Sequence, residues 1–213
     1  MSLRQSLKWQ ALIFMATCAN AAYLAATLPD RVPTHWNLYG KPDGFGSKWV
    51  NVLMGPALVF FILALTLLLP LLSPKSLSIS RFAPTFGKLM VIVSALMATL
   101  SFVIGQASQS NSSFNMTSVM LAVMFVFFAL MGNLMGKVKR NAFVGIRTPW
   151  TLADERVWDA THRDAARLWF FGGLAGAVLS LLGVPIVAAI VLICAITFWP
   201  VLNSYRLYRR IVG

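Results

Sequence analysis

Two histidines, six acids and two cysteines are the residues of this chain best suited to chemistry. His35 stands in Pro33-Thr34-His35-Trp36-Asn37, and Asp43 and Gly44 follow within Gly40-Lys41-Pro42-Asp43-Gly44-Phe45-Gly46. An imidazole, a carboxamide and a carboxylate at this spacing can grip a cation or a polar ligand. One His and one Asp nevertheless fall short of a metal-site signature. The expected ligand-facing set is His35, Trp36, Asn37, Asp43 and Gly44, and the competing reading is a structured cap over helix ends. Asp43 and Gly44 suit a tight reversal. His162 follows Asp159 by three residues, a carboxylate–histidine pair on one helical face. Such a lone pair more often belongs to a solvated, salt-bridged face than to a catalytic centre, and Asp159 is also four residues from Arg163, which it can pair. Cys18 and Cys194 lie singly in apolar runs without CxxC spacing, so they read as small buried packing residues. No nucleophile elbow, phosphate loop, zinc-protease helix or kinase motif occurs.

The elements that position these residues follow from composition. Of 213 residues 58% are hydrophobic and 11% charged, against about a quarter charged in soluble domains. A soluble fold of this size has no means of hiding so much apolar surface, whereas lipid removes the need. A bilayer crossing takes about 20 apolar residues. Six stretches qualify, at approximately 9–28, 51–72, 86–107, 116–136, 165–183 and 185–205. The expected fold is all-α, a single polytopic membrane domain of six transmembrane helices. Between the spans lie a Pro/Gly-rich segment at 29–50, a break opening Ser73-Pro74-Lys75, a polar run at 108–115, and a long basic interruption at 137–164. Gly183-Val184-Pro185 supplies a sharp last turn.

Orientation follows from the basic residues, which collect on the cytoplasmic side of short loops. With the N-terminus inside, only Arg31, Lys41 and Lys48 of the 18 Lys and Arg fall in outer segments. An odd number of spans would put one basic terminus outside and spoil this segregation, so both termini are expected in the cytoplasm. The net charge of +12 then faces anionic lipid head groups rather than nucleic acid. A rival reading takes Arg4, Lys8 and Ala19-Asn20-Ala21 as a cleaved signal peptide. The apolar stretch runs on through Leu28, which favours an uncleaved first span.

No ionisable residue falls in the middle of a span. Proton relays and ion paths mark themselves by such residues, so a pump or proton-coupled carrier is disfavoured. No internal repeat relates the two halves of the chain, which removes the usual transporter signature. Asn20, Gln106, Asn133 and Asn203 are mild polar groups of the kind that bond across helices, and Gly132-xxx-Gly136 and Gly172-xxx-Gly176 fit close helix packing. Met90, Met97, Met116, Met120, Met124, Met131 and Met135 cluster in the third and fourth spans. They read as packing, with an adaptable peptide surface as the less favoured alternative. Trp36, Tyr39 and Trp49 are placed for head-group level, and Trp158 and Trp169 for the point where the fifth helix enters the membrane. In the inner segment Thr151 is suited to cap a helix whose early turn carries Asp154 and Glu155.

At the two long loops the chain resembles a known family. Pro33-Thr34-His35-Trp36-Asn37 with Gly40-Lys41-Pro42-Asp43-Gly44-Phe45-Gly46-Ser47-Lys48 is similar to the outer loop of the small uncharacterised domain that opens many SdpI-type membrane proteins. Gly132-Asn133, Asn141-Ala142-Phe143-Val144-Gly145-Ile146-Arg147-Thr148-Pro149-Trp150-Thr151-Leu152 and Trp158-xxx-His162-Arg163 resemble the second half of the same family. The two stretches are ordered and spaced as in the family, and residues 73–115 contribute little. The family's name-giving member is an immunity protein against a secreted membrane-active peptide toxin, and it holds a cytoplasmic repressor at the membrane. The resemblance therefore implies a bacterial plasma membrane and a role in resisting or sensing a peptide. It does not imply the same toxin or repressor.

The expected function is a non-enzymatic immunity or signal-transduction protein. A peptide toxin would meet the outer loop, and a cytoplasmic repressor would meet Asn141, Arg147, Thr148, Pro149, Trp150 and His162. Neither cofactor nor metal nor direct contact with nucleic acid is implied. The alternatives are a small carrier or permease, disfavoured by the lack of buried charge, and a membrane enzyme using His35 with Asp43 or His162 with Asp159.

Overall fold

The computed structural model describes residues 1–109 and 115–213. The helices are α1 (Leu3–Thr27), α2 (Lys48–Leu72), α3 (Ala83–Ala107), α4 (Met116–Met135), the short α5 (Pro149–Ala153), α6 (Glu155–Leu181) and α7 (Ile186–Ile211). Two antiparallel strands, β1 (Arg31–Trp36) and β2 (Pro42–Ser47), form a hairpin between α1 and α2. The protein is thus an all-α membrane protein with one small addition that the apolar pattern did not announce. Among the described residues five helices, α1, α2, α3 with its preceding turns, α4 and α7, are long and apolar enough to cross a membrane. The fifth apolar stretch of the sequence forms the C-terminal part of α6, whose first turns are charged.

Helix starts follow local chemistry. Ser2 and Gln5 form a capping box on α1, Ser47 caps α2, and Asn115 caps α4, each satisfying backbone N–H groups that the helix leaves open. The polar run expected at 108–115 lies mostly outside the described residues. Pro56 and Pro70 sit inside α2 and Pro200 inside α7, positions tolerated where neighbouring helices and side chains satisfy the freed backbone groups. Gly183, at φ +76°, makes the reversal expected before Pro185, with Val184 N–H donating to the Leu179 carbonyl at 3.2 Å.

The chain packs as two groups of three, α1–α2–α3 and α4–α6–α7, joined where α3 meets α4. The closest pairing is α4 against α6, and glycine permits it. A Cβ on Gly132 would collide with the Phe170 N and Ala166 carbonyl of α6, and one on Gly173 would strike the backbone of Ala129. Gly172 lies against Ile196, and Gly176 against the Phe125 ring. The small-residue pattern therefore marks close approach at Gly132, Gly172 and Gly176, Gly173 extends it, and Gly136 alone of the pattern has room for a methyl group. Met90 and Met135 are core residues here. Many large apolar side chains remain bare on the outer faces, among them Phe60, Phe61, Leu71, Phe198 and Leu202. Lipid, not water, accounts for such a surface.

Cys18 and Cys194 were expected to be buried, yet both are exposed on outer helix faces. An apolar run in a membrane helix is apolar on both its core and its lipid face, so burial could not be read from it. Of the mild polar groups read from the sequence, Asn203 bonds across helices, donating to Asp164 at 2.8 Å, and Asn133 is exposed. Thr66 and the buried Gln10, not singled out there, join α2 to α1 at 3.0 Å.

Candidate functional site

The alternation of the helices puts the hairpin, the start of α4 and the α6–α7 turn at one end. The chain's N-terminus, residues 73–82, the 136–153 segment and the end of α7 lie at the other. Most of the Lys and Arg residues lie at this second, basic end, so the charge segregation expected from sequence is present in three dimensions. Each end carries one of the two histidines.

At the hairpin end, the reversal occurs at Asn37–Lys41 rather than at Asp43–Gly44. Gly40 adopts φ +72°, Gly40 N–H donates to the Asn37 carbonyl at 2.9 Å, and the Asn37 side-chain oxygen accepts from the Tyr39 and Lys41 N–H groups at 2.9 and 3.1 Å. Asn37 side chains favour such turns by mimicking a backbone acceptor, and this one is engaged by the turn itself. Asp43 and Gly44 instead belong to β2. That shift has a chemical result, because the register sets His35 opposite Gly44. A Cβ on Gly44 would lie 2.9 Å from His35 Cβ, and the glycine lets the imidazole lean across the pair. His35 Nδ1 then meets Asp43 Oδ1 at 2.5 Å, with the His35 side chain 71% exposed. Trp36 is half-buried against the Val103, Ala107 and Met116 cluster. Tyr39 is 81% exposed at the tip, and Trp49 is exposed at the start of α2.

The hairpin is not a loose loop. Asn51, buried near the start of α2, donates to the Pro33 carbonyl at 2.9 Å and to Ser108 Oγ at 2.8 Å. One carboxamide so joins β1, α2 and the end of α3. Lys48 adds a bond to the Leu28 carbonyl at 3.3 Å, and Val32 is fully buried against Leu24, Leu28 and Val52. Sequence reading missed Asn51 and Ser108, since a single polar residue at a helix end looks like ordinary boundary punctuation.

At the basic end, residues 137–153 form a folded strap in which nearly every candidate residue serves the strap. Asn141, fully buried, donates to the Lys139 and Val144 carbonyls at 2.8 Å and accepts from the Phe143 and Val144 N–H groups at 2.8 and 2.7 Å. All four of its hydrogen-bonding places are filled. His162 is 1% exposed and stacks on Trp158 with ring centroids 4.1 Å apart. Its Nδ1–H donates to the Trp158 carbonyl at 2.8 Å, which leaves Nε2 to accept from Ile146 N–H at 3.0 Å. Gly145, at φ +114°, brings the chain against the imidazole, and a Cβ there would overlap Nε2. Trp158 is itself buried and donates to the Val138 carbonyl at 2.7 Å. Burial pushes the His162 pKa down from 6.5 to about 4, outweighing the Trp158 carbonyl and Asp159, which favour the charged form.

Several local expectations change here. His162, expected from its spacing to lie on a solvated face beside Asp159, is interior. Asp159 pairs with Lys139 at 3.4 Å rather than with Arg163, because the folded strap brings the lysine over α6. Thr148 rather than Thr151 is the cap: it opens α5 in a reciprocal box with Thr151, whose hydroxyl donates to the Ile146 carbonyl at 2.8 Å. Asp154 caps α6 itself through the Arg156 and Val157 N–H groups, and its bonds to Arg156 hold its carboxyl at about 2. The Trp158 ring is buried within the protein and so does not face head groups, and Trp169 is half-buried with its N–H on the Ile196 carbonyl. Pro149 fills the first position of α5, where a missing N–H costs nothing. Trp150 ties α5 to α7 through Ser204 Oγ at 2.6 Å and the Tyr205 ring at 5.3 Å. Arg147 is the exception. It is exposed, and among the described residues it has no hydrogen-bonding or ionic partner.

The structure thus brings His35, Asp43 and Gly44 together, uses Trp36 and Asn37 to build the hairpin, and uses Asn141, Thr148, Pro149, Trp150 and His162 to build the strap. The signal that could have found His162's role was Gly145, a glycine between two β-branched residues in a segment otherwise free to choose.

Comparison with known proteins agrees with this division. Residues 137–204 match the SdpI/YfhL protein family, and residues 12–60 match a domain of unknown function, DUF1648. The two matches fall on the strap with α6 and α7, and on α1, the hairpin and the start of α2. Immunity protein SdpI of Bacillus subtilis (strain 168) is 26% identical over 188 residues, covering 87% of either chain. No solved structure matches. The chain is thus similar to SdpI-type proteins at both ends of its fold, and its long apolar helices make it a multi-pass membrane protein.

Proposed function

We propose that this SdpI-like protein is an immunity protein of the bacterial plasma membrane, which protects its cell by binding a membrane-active peptide. The observation that carries the reading is the similarity to an immunity protein along 87% of both chains, since likeness over that length extends to both ends of the fold. In this reading the hairpin end faces outside and the basic end faces the cytoplasm, as the placement of Lys and Arg favours. The hairpin supplies the peptide-binding face. Asn51 holds it rigidly, while the His35–Asp43 pair, Tyr39 and Trp49 stand exposed. A rigid platform with bare aromatics suits an apolar peptide arriving along the membrane surface, because little ordering entropy is lost on binding. The protein acts by binding and not as an enzyme: His162 has both ring nitrogens engaged internally. Arg147, exposed on the strap and without a partner among the described residues, is the contact for a cytoplasmic repressor.

The test is expression in a bacterium sensitive to membrane-active peptides, with the inhibitory concentration measured for a panel of them. At least one peptide should be tolerated at several-fold higher concentration, and the joint change Tyr39→Ala with Trp49→Ala should remove that protection while the protein still accumulates in the membrane. Unchanged sensitivity to every peptide would sink the immunity reading. For the inner face, co-purification with cytoplasmic DNA-binding proteins should be lost in Arg147→Glu, and no such capture from the wild type would remove the repressor part alone.

A further inference from the structure

The seam between the two helix triplets holds a groove that no step above uses. Along α3 and α4 an apolar cavity of about 260 Å³ is walled by residues such as Leu96, Val123 and Val126. At the basic end a second cavity of about 310 Å³ has Lys88, Lys137 and Asn133 at its mouth. Ile92 and Leu130 line both, so the two form one track running from a polar mouth into an apolar trough. Lys88, Asn133 and Lys137 are all exposed there.

The charge at the mouth is uncompensated. The chain has six acidic residues, and each is engaged elsewhere: Asp30 with Lys48, Asp43 with His35, Asp154 with Arg156, Glu155 with Arg81, Asp159 with Lys139, and Asp164 with Asn203. Two ammonium groups therefore flank the track with no carboxylate among its lining residues. They belong to the basic end, where an anionic head group would sit at the membrane surface.

We infer that this seam is a binding site for one anionic phospholipid, whose phosphate lies between Lys88 and Lys137 and whose acyl chain follows Ile92 and Leu130 toward Val126. The occupant is set by complementarity: two cations with a carboxamide donor at the mouth, and hydrocarbon beyond it. A cationic peptide would be repelled at the mouth, and an uncharged lipid would leave both lysines unpaired. A chain lying in the seam fills the space between the triplets, so bound lipid joins the two halves. This inference is independent of the immunity reading.

The test uses the full chain in detergent, with retention of phosphatidylglycerol or phosphatidylcholine followed by native mass spectrometry and thermal unfolding. One phosphatidylglycerol should be retained and should raise the Tm, while phosphatidylcholine should not. Lys88→Gln with Lys137→Gln should weaken phosphatidylglycerol binding about tenfold, by removing two charge-assisted contacts. Val126→Trp should weaken it by blocking the trough. Lys75→Gln with Arg209→Gln, an equal loss of exposed charge outside the seam, should leave it unchanged. The inference is overturned if that control pair weakens binding as much, or if both lipids bind equally. It is also overturned if glycerol 3-phosphate, which has no chains, competes as well as the lipid. Retention of an uncharged apolar peptide that Val126→Trp abolishes and the lysine changes do not would assign the seam to peptide instead.

Discussion

The two ends of this protein each contain one histidine beside an aromatic-rich turn, and they use it in opposite ways. His35 lies on the exposed face of a hairpin and meets a carboxylate in solvent. His162 lies under a strap, neutral, stacked on Trp158 and bonded to backbone on both sides. The glycine beside each explains the difference. Gly44 lets an imidazole lean across a strand pair, whereas Gly145 lets the backbone descend onto one. The same residue type can therefore be a surface available to a ligand at one end and a structural pin at the other. At the hairpin end the pin is Asn51, which frees the histidine from that duty.

The largest effect should come from His162→Ala. It leaves Ile146 N–H without its partner, removes the side-chain bond at the Trp158 carbonyl while the helical one remains, and opens a void beside Trp158, at a combined cost of about 3 kcal/mol. The Tm in detergent should fall by several degrees and residues 137–148 should lose protection from hydrogen exchange; unchanged protection would refute the role of the pin.

Acidification tests the same contact without mutation. The folded value of about 4 lies below 6.5, so the unfolded chain binds the proton first as pH falls. The stabilisation from neutral His162 is complete above pH 6.5 and is lost between there and about pH 4, with a magnitude on the order of 3 kcal/mol. Strap protection should fall across that window in the wild type, with Trp158 fluorescence changing only near pH 4 where folded His162 takes up the proton, and a flat profile would place the pin elsewhere.

At the other end, Asn51→Ala should cost about 1–2 kcal/mol and loosen only the hairpin, read as faster proteolysis at residues 31–47 with the strap unaffected. The smallest effect is expected for Asp43→Asn. The His35–Asp43 pair is exposed, and such pairs contribute less than about 1 kcal/mol, so Tm should barely move. Peptide tolerance should fall if this face binds the peptide. A large loss of stability in Asp43→Asn would erase the contrast between the two histidines.

Much of the framework could be read from the residues in order. Hydrophobic runs of bilayer length, glycine spacing in α4 and α6, and Gly183-Val184-Pro185 are local signals, because lipid imposes its demand on each segment separately. Charge placement likewise depends on which segments carry Lys and Arg, and it put most of the basic residues at one end. The His35–Asp43 pair was legible as a candidate from composition alone. Contacts between distant segments were not legible. That Asp43 sits in a strand and not a turn depends on where Asn37 and Gly40 reverse the chain. That Cys18 faces outward depends on which face of α1 its neighbours cover, and hydropathy is blind to this when lipid and core are equally apolar. That His162 is buried depends on a strap folded over it from 16 residues away. The amino-acid sequence determined by itself that this chain lives in a membrane with its charge at one end, since solvent preference is a property of each residue. Only the tertiary structure decided which histidine faces outward and which is locked inside, since burial and hydrogen bonding are properties of pairs.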